Sequence, residues 1–555
     1  MKPFHTLKKS ILALGVLLLL LWGSHQINWQ WDLTQDKRYS LSDPFKIQLQ
    51  NLDNELTIDI FLSGNLPPQY LRLRSELNTL LNVAKSETNN MRFQFINRFE
   101  GDLKMTQVVE EMIEFGLTPE TVFENTMTSV NESVIFPWAM VNYGQRSVRV
   151  PLLQKNLGDS EDEKIRRSIQ LLEYKIMDGI YRATLKEKKN IAVLTSHGTS
   201  EEVKLADLLQ SLSPYYNLAA FDLQANGVSS EKSLENLSRF DMLLISNPQK
   251  PFSNEEKFII DQYTMKGGKS LWLLNSMKIS RDSLYNTAGK AYGFPNALQL
   301  DDLLFKYGVR LQQELVRDVY CAPIVIAQGT QNNSNYIPFP WIYYPLPKPE
   351  QKSTIGKDVG SVLFQFAAPI DTLSNALKKE IFMYSSAFTK TQGMPALVVL
   401  QQATQPIDPT DFKGESVPLG VALEGTFNSL YANRIQPFKT ARLRVNGNSK
   451  MIVIGDGNFA ENQTEKGRPL TLGFDKWTRN FYANKDLLMN SIHWLTDNLD
   501  FIELRKKTVE LPLLAPDKIK ESGFFWKVFM ILIPLLLSFF LWAMYHLLTV
   551  RKYYS

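Results

Sequence analysis

The chain has 555 residues, 44% of them hydrophobic and 21% charged, with a formal net charge of +4. This composition excludes a disordered polyelectrolyte, and the length suggests about three to four domain-sized units at roughly 150 residues each. The charge is small and no lysine/arginine run forms a basic stripe, so nucleic acid is not an expected partner. A single cysteine, Cys321, excludes an internal disulfide and a cysteine-cluster metal site, and reads as a buried structural thiol.

Residues 1–30 read as an N-terminal transmembrane anchor. Lys2, Lys8 and Lys9 precede the apolar run Ile11 to Trp22, about 18 Å long as a helix. The sequence after it lacks an A-x-A-type cleavage site, so an uncleaved anchor with a cytoplasmic start is expected.

Residues 31–151 have the βαβαββ succession of a thioredoxin-like sandwich. Leu56–Leu62 and Met91–Asn97 alternate as strands. Gln69–Lys85 carries Leu71, Leu77, Leu80, Leu81 and Ala84 at helical spacing, and Met105–Phe115 reads as a second helix. Ser133–Asn142 and Ser147–Val150 flank a hairpin turn at Tyr143-Gly144. Where a redox member would carry Cys-x-x-Cys stands Ser63-Gly64-Asn65-Leu66, which leaves a binding or scaffolding role. Residues 152–188 form a bridging amphipathic helix, with Ile165, Ile169, Leu172, Ile176 and Ile180 on one stripe.

Residues 189–316 alternate strands and helices in the manner of a doubly wound parallel α/β sheet, amidotransferase- or flavodoxin-like. The strands are Ile191–Thr195, Leu218–Leu223, Met242–Ser246 and Ser270–Leu274, and the helices Glu201–Leu212 and Asn254–Met265. Residues 317–510 are a mixed α/β region, with strand candidates Val362–Phe366, Ser416–Leu423 and Met451–Ile454 and a helix at Lys485–Leu495. The last strand and helix are expected to pack back on the preceding sheet. Residues 511–522 form a tether, and residues 523–550 a C-terminal transmembrane helix around the eighteen uncharged residues Val528–Tyr545, roughly 27 Å against a bilayer core of about 30 Å.

Two transmembrane helices thus flank the body. Both termini are expected on the cytoplasmic side, with the bulk of the chain outside the cytoplasm and the lipid bilayer as one partner. Lys518, Lys520 and Lys527 oppose the bias of Arg551 and Lys552 on the last helix, and the N-terminal signal decides the orientation.

Gly267-Gly268-Lys269-Ser270 invites a phosphate-loop reading. Tyr263 stands where the pattern needs its first glycine, and a strand follows where the pattern needs a helix. A helix-ending turn is the expected reading. No Gly-x-Ser-x-Gly elbow or metal-ligand spacing appears, so no catalytic residue, cofactor or metal is assigned. Ser196, His197, Asn247, Asp456 and Asn458 all follow strands, at the sheet edge where such folds bind ligands, and form the candidate ligand pocket.

The apolar anchor, Arg38-Tyr39-Ser40-Leu41-Ser42, LTIDIFLSG at 56–64, the helix Leu71–Lys85, the turn Ile191–Gly198, MIVIGDGNF at 451–459 and the terminal helix recur in one order. In these features the chain resembles the gliding-motility-associated auxiliary subunits of ABC transporters, the GldG type of Bacteroidetes-type bacteria. The resemblance implies a cytoplasmic ABC ATPase subunit and an ABC permease subunit as partners, and a non-enzymatic role. A membrane-tethered, substrate-binding periplasmic protein is the alternative, and an envelope hydrolase the third reading.

Overall fold

The computed structural model describes residues 40–99, 105–125, 130–154, 160–279, 284–285, 289–330, 333–357, 359–412, 414–440, 442–497 and 516–554. The expected N-terminal anchor at 1–30 lies outside them. The protein is mixed α/β and divides into two compact units, residues 1–508 and residues 509–555.

After helix α1 (Asp43–Gln50) the first sheet is built from β1 (Leu56–Ile60), β2 (Met91–Phe95), β5 (Trp138–Tyr143) and β6 (Arg146–Pro151), in the order β2-β1-β5-β6. β1 runs parallel to β2 and antiparallel to β5, which pairs antiparallel with β6. The alternation in β1 puts Leu56, Ile58 and Ile60 fully inside. Helix α2 (Pro68–Glu87) buries Tyr70, Leu73, Leu77, Leu81 and Ala84. The buried stripe starts at Tyr70, so Leu71, expected inside, is 48% exposed.

Helix α3 (Met105–Glu114) is followed by a hairpin, β3 (Glu120–Asn125) and β4 (Val130–Ile135). The expected single strand Ser133–Asn142 is therefore two strands. Pro137, which has no N–H to give a ladder, separates them. The expected bridging helix is likewise two, α4 (Glu161–Gln170) and α5 (Leu172–Thr184), parted at Leu171. Ser160 and Glu163 close a capping box at the start of α4. The apolar stripe runs through the break and stays buried at Ile165, Ile169, Leu172, Ile176 and Ile180. Gly179 lets α5 lie against the first sheet, since a Cβ there would stand 2.3 Å from Val150 Cγ2.

The second sheet has seven strands. Four come in succession: β7 (Lys189–Leu194), β8 (Tyr216–Phe221), β9 (Met242–Ser246) and β10 (Lys269–Leu273). Helices α6 (Glu202–Leu212), α7 (Ser230–Leu237) and α8 (Asn254–Met265) connect them. Then comes helix α9 (Asp301–Tyr307), and from the far region β11 (Lys378–Tyr384), β12 (Pro418–Asn428) and β13 (Asn446–Ile454). The order is β8-β7-β9-β10-β13-β12-β11. The first five are parallel, with succession 2-1-3-4-5, and β12 and β11 add an antiparallel edge.

Both faces of this sheet are covered, as a parallel sheet requires. Ile191, Leu244, Leu273 and Ile452 meet Leu205 and Leu208 of α6 and Leu487 and Ile492 of α10 (Asn484–Leu495). Their neighbours Ala192, Leu243, Trp272 and Val453 meet Leu237 of α7, Phe258 of α8 and Leu303 of α9. β13 pairs with β10, and α10 packs on the same face as α6. The Gly267-Gly268 turn ends α8 and starts β10, with Gly267 at φ 94°.

Residues 274–445 are inserted between the neighbouring strands β10 and β13. They include a long hairpin, Cys321–Thr330 with Asn333–Pro345. Val362–Phe366, expected as a strand, belongs to no sheet. Its N–H groups go alternately to the carbonyls of Pro347, Pro345 and Tyr343 and to the side chains of Asn484 and Asp456. Cys321 is only half-buried, and burial pushes its thiol up to about 11.

The second unit is helix α11 (Pro516–Tyr554), 39 residues long, or about 58 Å. It starts inside the expected tether 511–522, whose residues 511–515 lie outside those described, and runs past the expected end at 550. Lys527–His546, with mean hydropathy 2.3, is the one stretch among the described residues long and apolar enough to cross a membrane. Pro534 sits inside it, and the Ser538 hydroxyl donates to the Pro534 carbonyl at 2.8 Å.

Candidate functional site

The carboxyl ends of the parallel strands gather at one edge of the second sheet, where open α/β sheets bind ligands. β7 leads into Ser196 and His197, β9 into Asn247, β10 into Leu274 and Asn275, and β13 into Gly455-Asp456-Gly457-Asn458. His197 and Asn247 take left-handed backbone, φ 65° and 55°, a region Asn and His enter more readily than most residues. The chain reverses there, and Gln249 N and Lys250 N both donate to the His197 carbonyl, at 2.8 and 2.9 Å.

The five predicted site residues fall into two groups. Asn247 and Asn458 are joined directly, Asn247 Nδ2 donating to Asn458 Oδ1 at 2.8 Å and to Glu461 Oε1 at 3.1 Å. Asn247 Oδ1 accepts from Gln249 Nε2 at 2.6 Å and Asn275 Nδ2 at 2.9 Å. Asn275 Oδ1 accepts the Gly457 N–H at 2.7 Å. Side-chain amides therefore stitch β9, β10 and β13 together at their tips.

Asp456 lies beneath this layer, fully buried, accepting the N–H groups of Gln365 at 2.7 Å and Asn458 at 2.8 Å. Burial lifts its pKa to about 7 against those two bonds, and the Glu461 charge adds to the rise.

Ser196 and His197 form a separate buried cluster. His197 Nδ1 meets Ser196 Oγ at 2.9 Å, and Nε2 meets Glu256 Oε2 at 3.2 Å. The imidazole stacks on Phe252 with ring centroids 3.9 Å apart. Burial works against the Glu256 carboxylate, but bonds from His197, Ser253 and Gln224 outweigh it and lower its pKa to about 2. Ser196–His197–Glu256 has the composition of an acyl-transfer relay but not the access. His197 is 1% exposed, and Ser196 Oγ takes up the Leu223 N–H at 3.3 Å. The geometry fits a buried brace that fixes the β7 turn.

Asn247 and Asn458, without the other three, line a cleft of about 540 Å³. Glu201 and Lys204 lie at the start of its α6 wall, Gln365 and Phe366 come from the insertion, and Glu461 and Gln463 follow β13. Asn275 was legible by analogy with Asn247, each following a strand of the sheet. Gln365 and Gln463 had no such signal, because long-range packing brings them there. Among the described residues no group of three or more His, Cys, Asp or Glu side chains is placed to hold a metal ion.

A second groove, of about 770 Å³, runs between β6, α5 and the amino ends of β7 and β8. Its cations are engaged: Arg182 with Asp178 and Lys186 with Asp53, both at 2.9 Å, and Lys188 with the Ser213 carbonyl at 2.7 Å.

Fold and site define a mixed α/β protein whose open sheet carries a polar cleft at its carboxyl edge, with one helix of membrane-spanning length among the described residues. Residues 188–491, more than half of the chain, match the ABC_transp_aux family, described as an ABC-type uncharacterized transport system. The chain belongs to this family of ABC-transporter auxiliary proteins. Residues 35–142 match a domain of unknown function, DUF7088. No curated protein matches the chain. Among solved structures, the mmIFT52 N-terminal domain is 13% identical, covering 59% of this chain and 100% of its own, with TM-score 0.32. A ThuA-like protein from Parabacteroides merdae is 10% identical, covering 56% of this chain and 91% of its own, with TM-score 0.27. Neither likeness carries an argument about function.

Proposed function

We propose that the protein is a non-ATPase, membrane-anchored auxiliary subunit of an ABC transporter that supports gliding motility, of the GldG type. It has no catalytic activity of its own. It sits in the bacterial inner membrane with both termini cytoplasmic, and its periplasmic domains couple the permease and the ATPase to partners in the envelope. The family match over residues 188–491 carries this reading, and the apolar helix Lys527–His546 supplies a means of docking on a permease. Purification of the tagged full-length protein in mild detergent, with mass spectrometry of co-purifying chains, tests it. An ATPase and a permease in stable ratio are expected. Recovery of the protein alone in several detergents overturns the proposal.

One observation favours a second reading, a membrane-tethered ligand-binding protein: the polar cleft of about 540 Å³ at the carboxyl edge of the sheet.

A further inference from the structure

We propose that this cleft binds a neutral polyhydroxylated ligand, a saccharide segment, holding hydroxyl groups on its amide-lined floor and stacking a sugar face on Trp477 and Tyr336. The proposal rests on the ligand-binding reading and gives it a chemical class.

The floor offers the right groups. Asn458 Nδ2, Gln249 Oε1 and the Gln365 side-chain amide line the cleft without a hydrogen-bond partner among the described residues. They present donors and acceptors together, without charge, and a hydroxyl serves both. Among the described residues no arginine lines the cleft; of its three lysines, Lys204 stands 3.7 Å from Glu461, Lys476 donates to the Thr464 carbonyl at 2.8 Å, and Lys278 is exposed. The bidentate guanidinium fork that selects a carboxylate or phosphate is therefore missing.

An exposed aromatic surface adjoins the cleft. Gln365 and Gln463 also line a narrower space bounded by Tyr285, Tyr482 and Trp477. Trp477 is 54% exposed and stacks on Tyr336, itself 64% exposed, with ring centroids 5.9 Å apart. Lys476 reaches over the indole at 5.3 Å. A pyranose presents a C–H face to such rings and a rim of hydroxyls to amides, which matches an apolar platform beside a polar floor.

The backbone bears strain where the two meet. Phe366, next to Gln365, has φ 57° and is 4% exposed. A bulky residue in the left-handed region is a costly arrangement that clusters at ligand sites.

The test uses full-length protein in a zwitterionic detergent, because glycoside detergents would compete. Neutral hexasaccharides (maltohexaose, cellohexaose, chitohexaose and mannohexaose) are titrated with tryptophan fluorescence and saturation-transfer NMR as readouts. At least one is expected to bind saturably, at least tenfold more weakly with Trp477→Ala and with Gln365→Ala, and unchanged with Lys232→Ala on α7. Thermal melts confirm that each variant is folded. Absence of binding to the folded protein, or binding indifferent to both cleft variants, overturns the proposal. Native mass spectrometry of the same preparation separates the two levels. A retained ligand of another chemistry removes the saccharide class and keeps the ligand-binding reading. No retained species, with no thermal shift from neutral, anionic or peptidic ligands, removes both.

Discussion

Asp261 in α8 accepts the Ser429 hydroxyl at 2.6 Å, across 168 residues of sequence. The same carboxylate takes the Tyr307 hydroxyl at 2.9 Å, the Leu430 N–H at 2.9 Å and the Gln262 amide at 3.1 Å. One fully buried acid thus pins α9 and the exit of β12 to α8. Asp261→Ala would leave a phenol, a hydroxyl and an N–H without their acceptor. A loss of about 3 kcal/mol or more is expected, read as a lower urea midpoint with an unchanged slope.

Lys175 in α5 is buried, and its Nζ has no hydrogen-bond partner among the described residues. Burial lowers its pKa to about 7. A base depressed in the folded state gives stability that is complete above the ordinary lysine value of about 10.4 and is lost as pH falls through about 7. Lys175→Met is therefore expected to stabilise the protein at pH 7 by about 1–3 kcal/mol. Melting curves at pH 7 and pH 10 check this, since the gap between variant and parent should narrow at the higher pH.

Asp456 has the opposite sense. Its raised folded pKa, about 7, means the native state holds a proton that the unfolded chain gives up near pH 4. Its contribution is complete below that value and is lost as pH rises through about 7. Asp456→Asn should remove this slope between pH 4 and 7. Melting temperature followed across that window in both proteins gives the comparison, and parallel curves would contradict it.

Leu537 lies at the middle of the Lys527–His546 stretch. An arginine at the centre of a membrane helix costs about 2.5–3.5 kcal/mol in insertion. Leu537→Arg should move a measurable fraction of the protein into the alkaline-carbonate supernatant, while Leu537→Phe stays with the membranes.

Much of the second sheet was legible because local signals and burial agree there. Met242–Ile245 is an unbroken apolar run, and Asn254–Met265 is closed by Ser253 and Glu256 in a capping box. The errors have a different cause. Val362–Phe366 is apolar enough for a strand, but its alternate N–H groups are spent on Asn484 and Asp456, side chains more than 90 residues away. The same holds at the site. Asn247 and Asn458 follow strands and were legible, whereas Gln365 and Trp477 reach it through loops whose course tertiary contacts set. Ser196 and His197 follow a strand equally well, yet their side chains turn inward to Phe252, Leu223 and Glu256. Residue order does not reveal that direction.

β10 ends at Leu273, and its neighbour β13 begins at Asn446. A chain synthesised at about 5–20 residues per second needs roughly 10–30 s to cover that gap. Throughout it one side of β10 has no partner strand, and an unpaired edge recruits other chains. Yield in the cell should therefore follow the supply of holding chaperones, and slower translation of residues 274–445 should favour aggregates over folded protein.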